Sequence, residues 1–99
     1  MSMDSIIRAD ARLIVLRTLA EQLDGRLNSE LLRAALESFG IQRTRAWVHD
    51  ELFYLEQMGA VAVTEAGSVR VATLLNKGQQ HLDRQLVIEG VKRPSRPGD

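Results

Sequence analysis

Ninety-nine residues bound the chain to one domain, because two halves of that length would each lack a core. Hydrophobic residues at 44% and charged residues at 26% describe a soluble globular chain and exclude a disordered or membrane-spanning one. Thirteen Lys plus Arg against thirteen Asp plus Glu exclude a strong long-range positive field, and the absence of Cys excludes disulfides, a thiol nucleophile and a thiolate metal site.

Any contact with DNA must then be local. The opening Met1-Ser2-Met3-Asp4 has neither a basic region nor a signal-peptide core, so a cytoplasmic protein is expected. From Asp4 to Gln22, Ile6, Ala9, Leu13, Leu16, Leu19, Ala20 and Leu23 recur at three and four and predict a helix. Ser2 or Asp4 is its expected cap, and Asp24-Gly25 its turn.

Asn28 or Ser29 should cap a second helix through Leu31, Leu32, Ala34, Ala35 and Leu36, closed by Gly40 with Ile41 packing back. A third helix is expected from about Thr44 to Met58, with Val48, Leu52 and Leu55 inward and Gly59 as terminator. The period then falls to two. Val61 and Val63, then Val69 and Val71, read as two strands joined by the turn Glu65-Ala66-Gly67-Ser68. Asn76 and Gln79 resemble a capping box opening a fourth helix through Leu82 and Leu86, with Gly78 an awkward residue in its first turn.

Three helices, a hairpin and a closing helix are the order of a winged helix-turn-helix, a mainly α fold with a β-hairpin, rather than a helical bundle with an incidental hairpin. Residues 1–89 are assigned to that domain and 90–99 to a basic tail, expected to be disordered and dispensable for folding because Lys92, Arg93, Pro94, Arg96 and Pro97 offer little to bury.

The runs Leu27-Asn28-Ser29-Glu30-Leu31-Leu32, Arg45-Ala46-Trp47-Val48-His49-Asp50, Met58-Gly59-Ala60-Val61 and Val69-Arg70-Val71-Ala72-Thr73-Leu74 resemble the small winged-helix proteins of Mu-like phages and prophages, often described as ArsR-like regulators. The resemblance implies a DNA-binding dimer, in metal-sensing relatives controlled by a cluster of Cys, His and carboxylates. That cluster does not carry over. His49 and His81 each stand near a single Asp, whereas a stable site needs three or four convergent ligands, so neither metal nor organic cofactor is expected.

A helix-turn-helix lays the start of its second helix in the major groove, which singles out Gln42, Arg43, Thr44 and Arg45. Arg pairs with guanine or holds phosphate, and Gln reads adenine. Arg70 on the hairpin and the basic tail are placed to meet phosphates, while Asp50 and Glu51 one turn later would repel them. Phe53 falls on the outward face without a partner. Ile7 and Ile14 form a second apolar line on the first helix, and with Val87 and Ile88 near the chain end they predict a homodimer interface through the terminal helices.

No catalytic constellation emerges. His81 and Asp83 point to different faces of a helix, Ser29 and Ser38 have no associated His, and every Gly outside the tail sits near an element boundary. The expected function is therefore DNA binding as a transcriptional regulator or architectural protein. The alternative is a phage accessory protein that uses the same fold to contact another phage protein in packaging or assembly.

Overall fold

The computed structural model describes residues 2–95. Its elements are α1 (Met3–Ala20), β1 (Arg26–Asn28), α2 (Ser29–Ser38), α3 (Arg45–Gln57), β2 (Val61–Ala66), β3 (Val69–Leu74) and α4 (Asn76–Leu82). Short oxygen-bearing side chains open the first three helices by accepting from an otherwise unpaired amide. Ser2 accepts from the Ser5 amide, Asn28 from Leu31 and Thr44 from Trp47. After α2 the Ile41 amide returns to the Leu36 carbonyl at 3.0 Å and Ile41 packs into the core, as its sequence position past Gly40 predicts.

The three strands form one antiparallel sheet in the order β1-β3-β2. β2 and β3 are the hairpin, with Glu65 opposite Arg70; β2 extends through Glu65 and Ala66 of the predicted turn while β3 begins at Val69 as expected, leaving Gly67-Ser68 as the loop. β1 is absent from the sequence reading. It pairs Leu27 with Ala72, and its three residues are too short for alternation to register. Helices α1, α2 and α3 close over the inner face of the sheet, burying Leu16, Leu19, Leu32, Leu36, Val48, Leu52 and Leu55 in one core.

Four expectations change. Asn76 is the first residue inside α4 rather than its cap, Leu75 precedes it with no side-chain cap bond, and the helix ends at Leu82 instead of Leu86. The chain turns there, with Arg84 at φ 62°, so that Ile88 can return to His81. The Ile88 amide donates to His81 Nδ1 at 3.1 Å, which leaves Nε2 as the protonated nitrogen donating to the Lys92 carbonyl at 2.9 Å. This buried ring thus ties the segment after α4 to the body.

The segment from Gly90 is not a loose tail as far as residue 95. Val91 and Pro94 are buried, the Lys92 amide donates to the Ala9 carbonyl of α1 at 3.1 Å, and Arg84 donates to the Pro94 carbonyl. The apolar area of Val91 and the backbone bonds offset the ordering entropy that composition alone leaves uncompensated. Arg96, Pro97, Gly98 and Asp99, the rest of the predicted tail, lie outside the described residues. Truncation before Gly90 is therefore expected to cost about 1.5 kcal/mol or more, the value of one buried Val. A melting temperature lower by about 6 °C or more should be seen by circular dichroism, and an unchanged one would restore the dispensable tail.

The predicted dimer line is likewise spent inside the chain. Ile14 is 6% exposed and Ile88 1%, both within the core, and Ile7 packs against that core. Of the four, only Val87 is left outside, at 55% exposure. The helical wheel shows two apolar lines on α1 but not that the core is wide enough to take both, nor that the segment after α4 returns to α1 at Ala9 and Arg12.

Candidate nucleic-acid interface

The turn from Phe39 to Thr44 carries the chain from α2 into α3 and presents the start of α3 at the surface. Gln42 and Arg45 are exposed there. Thr44 is occupied otherwise, because its hydroxyl accepts from the Trp47 amide at 3.2 Å and caps α3. Arg43 is half-buried, donates to the Gln42 carbonyl at 2.9 Å, and lies 5.5 Å from the Trp47 ring centroid. Of the four predicted residues, Gln42 and Arg45 thus remain free to reach outward, while Thr44 and Arg43 shape the helix start.

The charges behind α3 are disposed differently from the sequence reading. Glu51, expected beside Asp50 as a charge that would repel phosphates, is 1% exposed. It accepts from Arg12 Nε at 2.7 Å and from Arg8 Nη1, both on α1. Arg8 also lies 5.1 Å from the Trp47 centroid, and Arg12 stacks 3.7 Å from that of Tyr54. The Tyr54 hydroxyl donates to the Glu89 carbonyl at 2.6 Å, and Arg12 Nη1 donates to the Gly90 carbonyl at 2.9 Å. A Cβ at Gly90 would stand 2.2 Å from the Tyr54 oxygen, so this close approach requires glycine. Two arginines one turn apart on a helix with an apolar stripe were the available signal for a buried carboxylate partner.

This pairing makes the zero net charge uneven. Arg8 and Arg12 are neutralised by Glu51, with Asp4 also on Arg8, and Arg33 is neutralised by Glu30 and Glu37. Among the described residues, Arg43, Arg45 and Arg70 have no carboxylate within 4.0 Å. Arg45 at the start of α3 and Arg70 on the wing are thus outside any ion pair of the described residues, as are Arg17, Arg26, Lys77, Arg84 and Arg93 elsewhere, and Glu65 lies opposite Arg70 in the strand register. Further along the same helix the surface changes sign, since Asp50 and Glu56 flank Phe53, which is 55% exposed as its outward position predicts.

Where α2, α3 and the wing meet, two side chains and one backbone amide from distant positions converge. The buried Ser29 hydroxyl oxygen accepts from the Arg70 amide at 3.0 Å and lies 3.0 Å from His49 Nε2. His49, Glu65, Gly67, Ser68, Val69 and Arg70 line a polar cavity of about 190 Å³ beside them. Partial burial and the positive charges of Arg70 and Arg45 hold His49 below its ordinary value of 6.5, with Asp50 and Glu65 opposing the shift. Sequence reasoning weighed His49 as a metal ligand and Ser29 as a cap. It had no signal for their meeting, since each comes from a different element.

Among the described residues no three His, Asp or Glu side chains gather as a metal ion would require, and no helix is long and apolar enough to cross a membrane. No family model matches the chain. It is 29% identical over 91 residues to the uncharacterized protein gp26 of Escherichia phage Mu, covering 92% of this chain and 94% of that one. Among solved structures it is similar to Sco3205, a MarR family transcriptional regulator from Streptomyces coelicolor in complex with DNA, at TM-score 0.64 and 23% identity over 82% of this chain and 52% of the other. F93 from STIV, a winged-helix DNA-binding protein, superposes at TM-score 0.59 with 22% identity, over 74% of this chain and 79% of that one. The hsRosR-S1 complex gives TM-score 0.59 and 20% identity, with 70% of this chain matched and 61% of that chain spanned. None of these carries the ArsR-like description. The architecture shared with them, four helices and a three-stranded antiparallel sheet, is the winged helix.

Proposed function

We propose that the chain binds duplex DNA through the start of α3 and the wing, in a regulatory or architectural role. The observation that carries this is that Arg8 and Arg12 behind α3 are held by Glu51, while Arg45 and Arg70 at the outer corner have no carboxylate within 4.0 Å among the described residues. Gln42 and Arg45 are the base-reading candidates, Arg70 meets phosphate, and Arg43 supports them by its position over Trp47. The DNA-bound Sco3205 and the winged-helix DNA-binding protein F93 support the reading by fold. The similarity to gp26 favours a phage or prophage setting.

Pairing of two copies belongs to the same proposal, because few cations per domain favour two half-sites. With Ile14 and Ile88 internal, the surface offered for it is the apolar side of α1 at Met3 and Ile6. Sedimentation as a monomer at high concentration would remove it.

The Arg45→Ala/Arg70→Ala double variant should bind random duplex at least about tenfold more weakly at low salt, with the salt slope lowered by about 0.9 for each phosphate no longer neutralised. Arg43→Ala should change that slope less. Fluorescence anisotropy measures both, and wild-type-like binding by the double variant sinks the assignment. The competing reading, contact with another phage protein, draws on Phe53 between Asp50 and Glu56. It takes over if no duplex binds the wild type at low salt.

A further inference from the structure

The corner where α2, α3 and the wing meet has a bonding pattern that tolerates two charge states. Ser29 Oγ uses one lone pair on the Arg70 amide. With His49 neutral, the hydroxyl can donate its proton to Nε2. With His49 protonated, the hydroxyl turns its proton away and accepts from Nε2–H instead. Both states keep the contacts of Ser29 Oγ with His49 Nε2 and the Arg70 amide. What opposes protonation is partial burial together with Arg45 on α3 and Arg70 on the wing.

The other groups facing this corner are few. Asp50 on α3 and Glu65 on the wing favour the charged imidazole, α2 presents the neutral Ser29, and Glu30 on α2 is bonded to Arg33. An anion seated among His49, Arg45 and Arg70 would cancel the repulsion that holds the ring neutral. The adjoining cavity of about 190 Å³ has His49 and Arg70 in its wall, with Ser68 at the hairpin loop; Glu65, also in the wall, opposes an anion and lies opposite Arg70 in the strand register.

We propose that this corner is a site for one phosphate of the DNA backbone, and that His49 takes up a proton as the phosphate seats. The inference rests on the DNA-binding reading and adds a proton to it. Its sign follows from linkage. His49 titrates low in the free protein and higher in the complex, so affinity rises as pH falls through the interval between the two values and is level above it. One linked proton gives at most about a tenfold change per pH unit.

The test is anisotropy with a random duplex from pH 8 to pH 5.5 at fixed ionic strength, using wild type and His49→Gln, which keeps a hydrogen-bonding group without titrating. In parallel, the wild-type His49 imidazole resonance is followed by nuclear magnetic resonance alone, with duplex, and with inorganic phosphate at the same ionic strength. Wild-type affinity should rise roughly three- to tenfold between pH 8 and pH 6, His49→Gln should flatten that dependence, and duplex but not inorganic phosphate should raise the imidazole midpoint. Duplex binding that is independent of pH, or equally dependent in His49→Gln, overturns the site and leaves DNA binding standing. An equal upward shift with inorganic phosphate makes it a free-anion site and overturns the assignment to the DNA backbone. If no duplex binds at any pH, both the site and the DNA reading fall. The wild-type resonance decides the matter even if His49→Gln folds poorly.

Discussion

Glu51→Ala is expected to destabilise the domain by about 3 kcal/mol, the low end for removing one partner from a buried ion pair. The carboxylate is held between Arg8 and Arg12, and its loss leaves two guanidinium groups converging on a site without a counter-charge. The low end applies because the Arg8 side chain stays 31% exposed and water partly replaces its partner. Arg12 is the more damaging orphan, since its stacking on Tyr54 and its bond to the Gly90 carbonyl keep it in place. Thermal denaturation should show a melting temperature lower by about 12 °C or more. Glu51→Gln, which retains an acceptor, should fall between the two. A loss below about 1 kcal/mol would mean that the cluster behaves as an ordinary surface pair.

Gly78→Ala should also destabilise, although alanine in a helix is worth about 1 kcal/mol more than glycine. A Cβ at this position would lie 2.5 Å from the Ala60 carbonyl oxygen and 2.7 Å from Leu74 Cδ1. The carbonyl cannot yield, because it accepts from the Leu75 amide at 3.0 Å and so fixes the start of α4 on the link between α3 and β2. Overpacking against backbone belongs at the upper end of its usual range, about 3 kcal/mol, leaving a net loss of about 2 kcal/mol. Calorimetry gives the sign directly. A raised melting temperature would show that α4 shifts freely to admit the methyl group.

These two residues also show where sequence reasoning stops. Helix positions were legible because their determinants are local: the three- and four-residue spacing of Leu13, Leu16 and Leu19, the caps at Ser2, Asn28 and Thr44, the inward line of Val48, Leu52 and Leu55. The hairpin was legible for the same reason. Gly78 reads as a poor helix former until the Ala60 carbonyl beside it is known. Glu51 reads as a solvated flank charge until Arg8 and Arg12, some forty residues earlier, are placed against it. Ile14 and Ile88 share the core, yet nothing near either in sequence announces the other. At the candidate interface, Gln42 and Arg45 could be found from the helix start alone, whereas the Ser29, His49 and Arg70 corner needs three elements assembled first. Local rules find the helix that faces outward, and tertiary contact decides which of its side chains are free.

The bond from the Lys92 amide to the Ala9 carbonyl bears on the birth of the molecule. During synthesis α1 and every element through the hairpin emerge before the segment that bonds to Ala9 and Arg12 exists. Until residues 88–94 leave the ribosome, the core lacks Ile88 and Val91, Arg12 lacks the Gly90 carbonyl, and Tyr54 lacks the Glu89 carbonyl. A ribosome stalled within that stretch should hold a nascent chain whose helices have formed but whose first helix is still wet along one side, open to protease and to chaperone. Release of those few residues fixes α1 and α3 against the segment after α4 together.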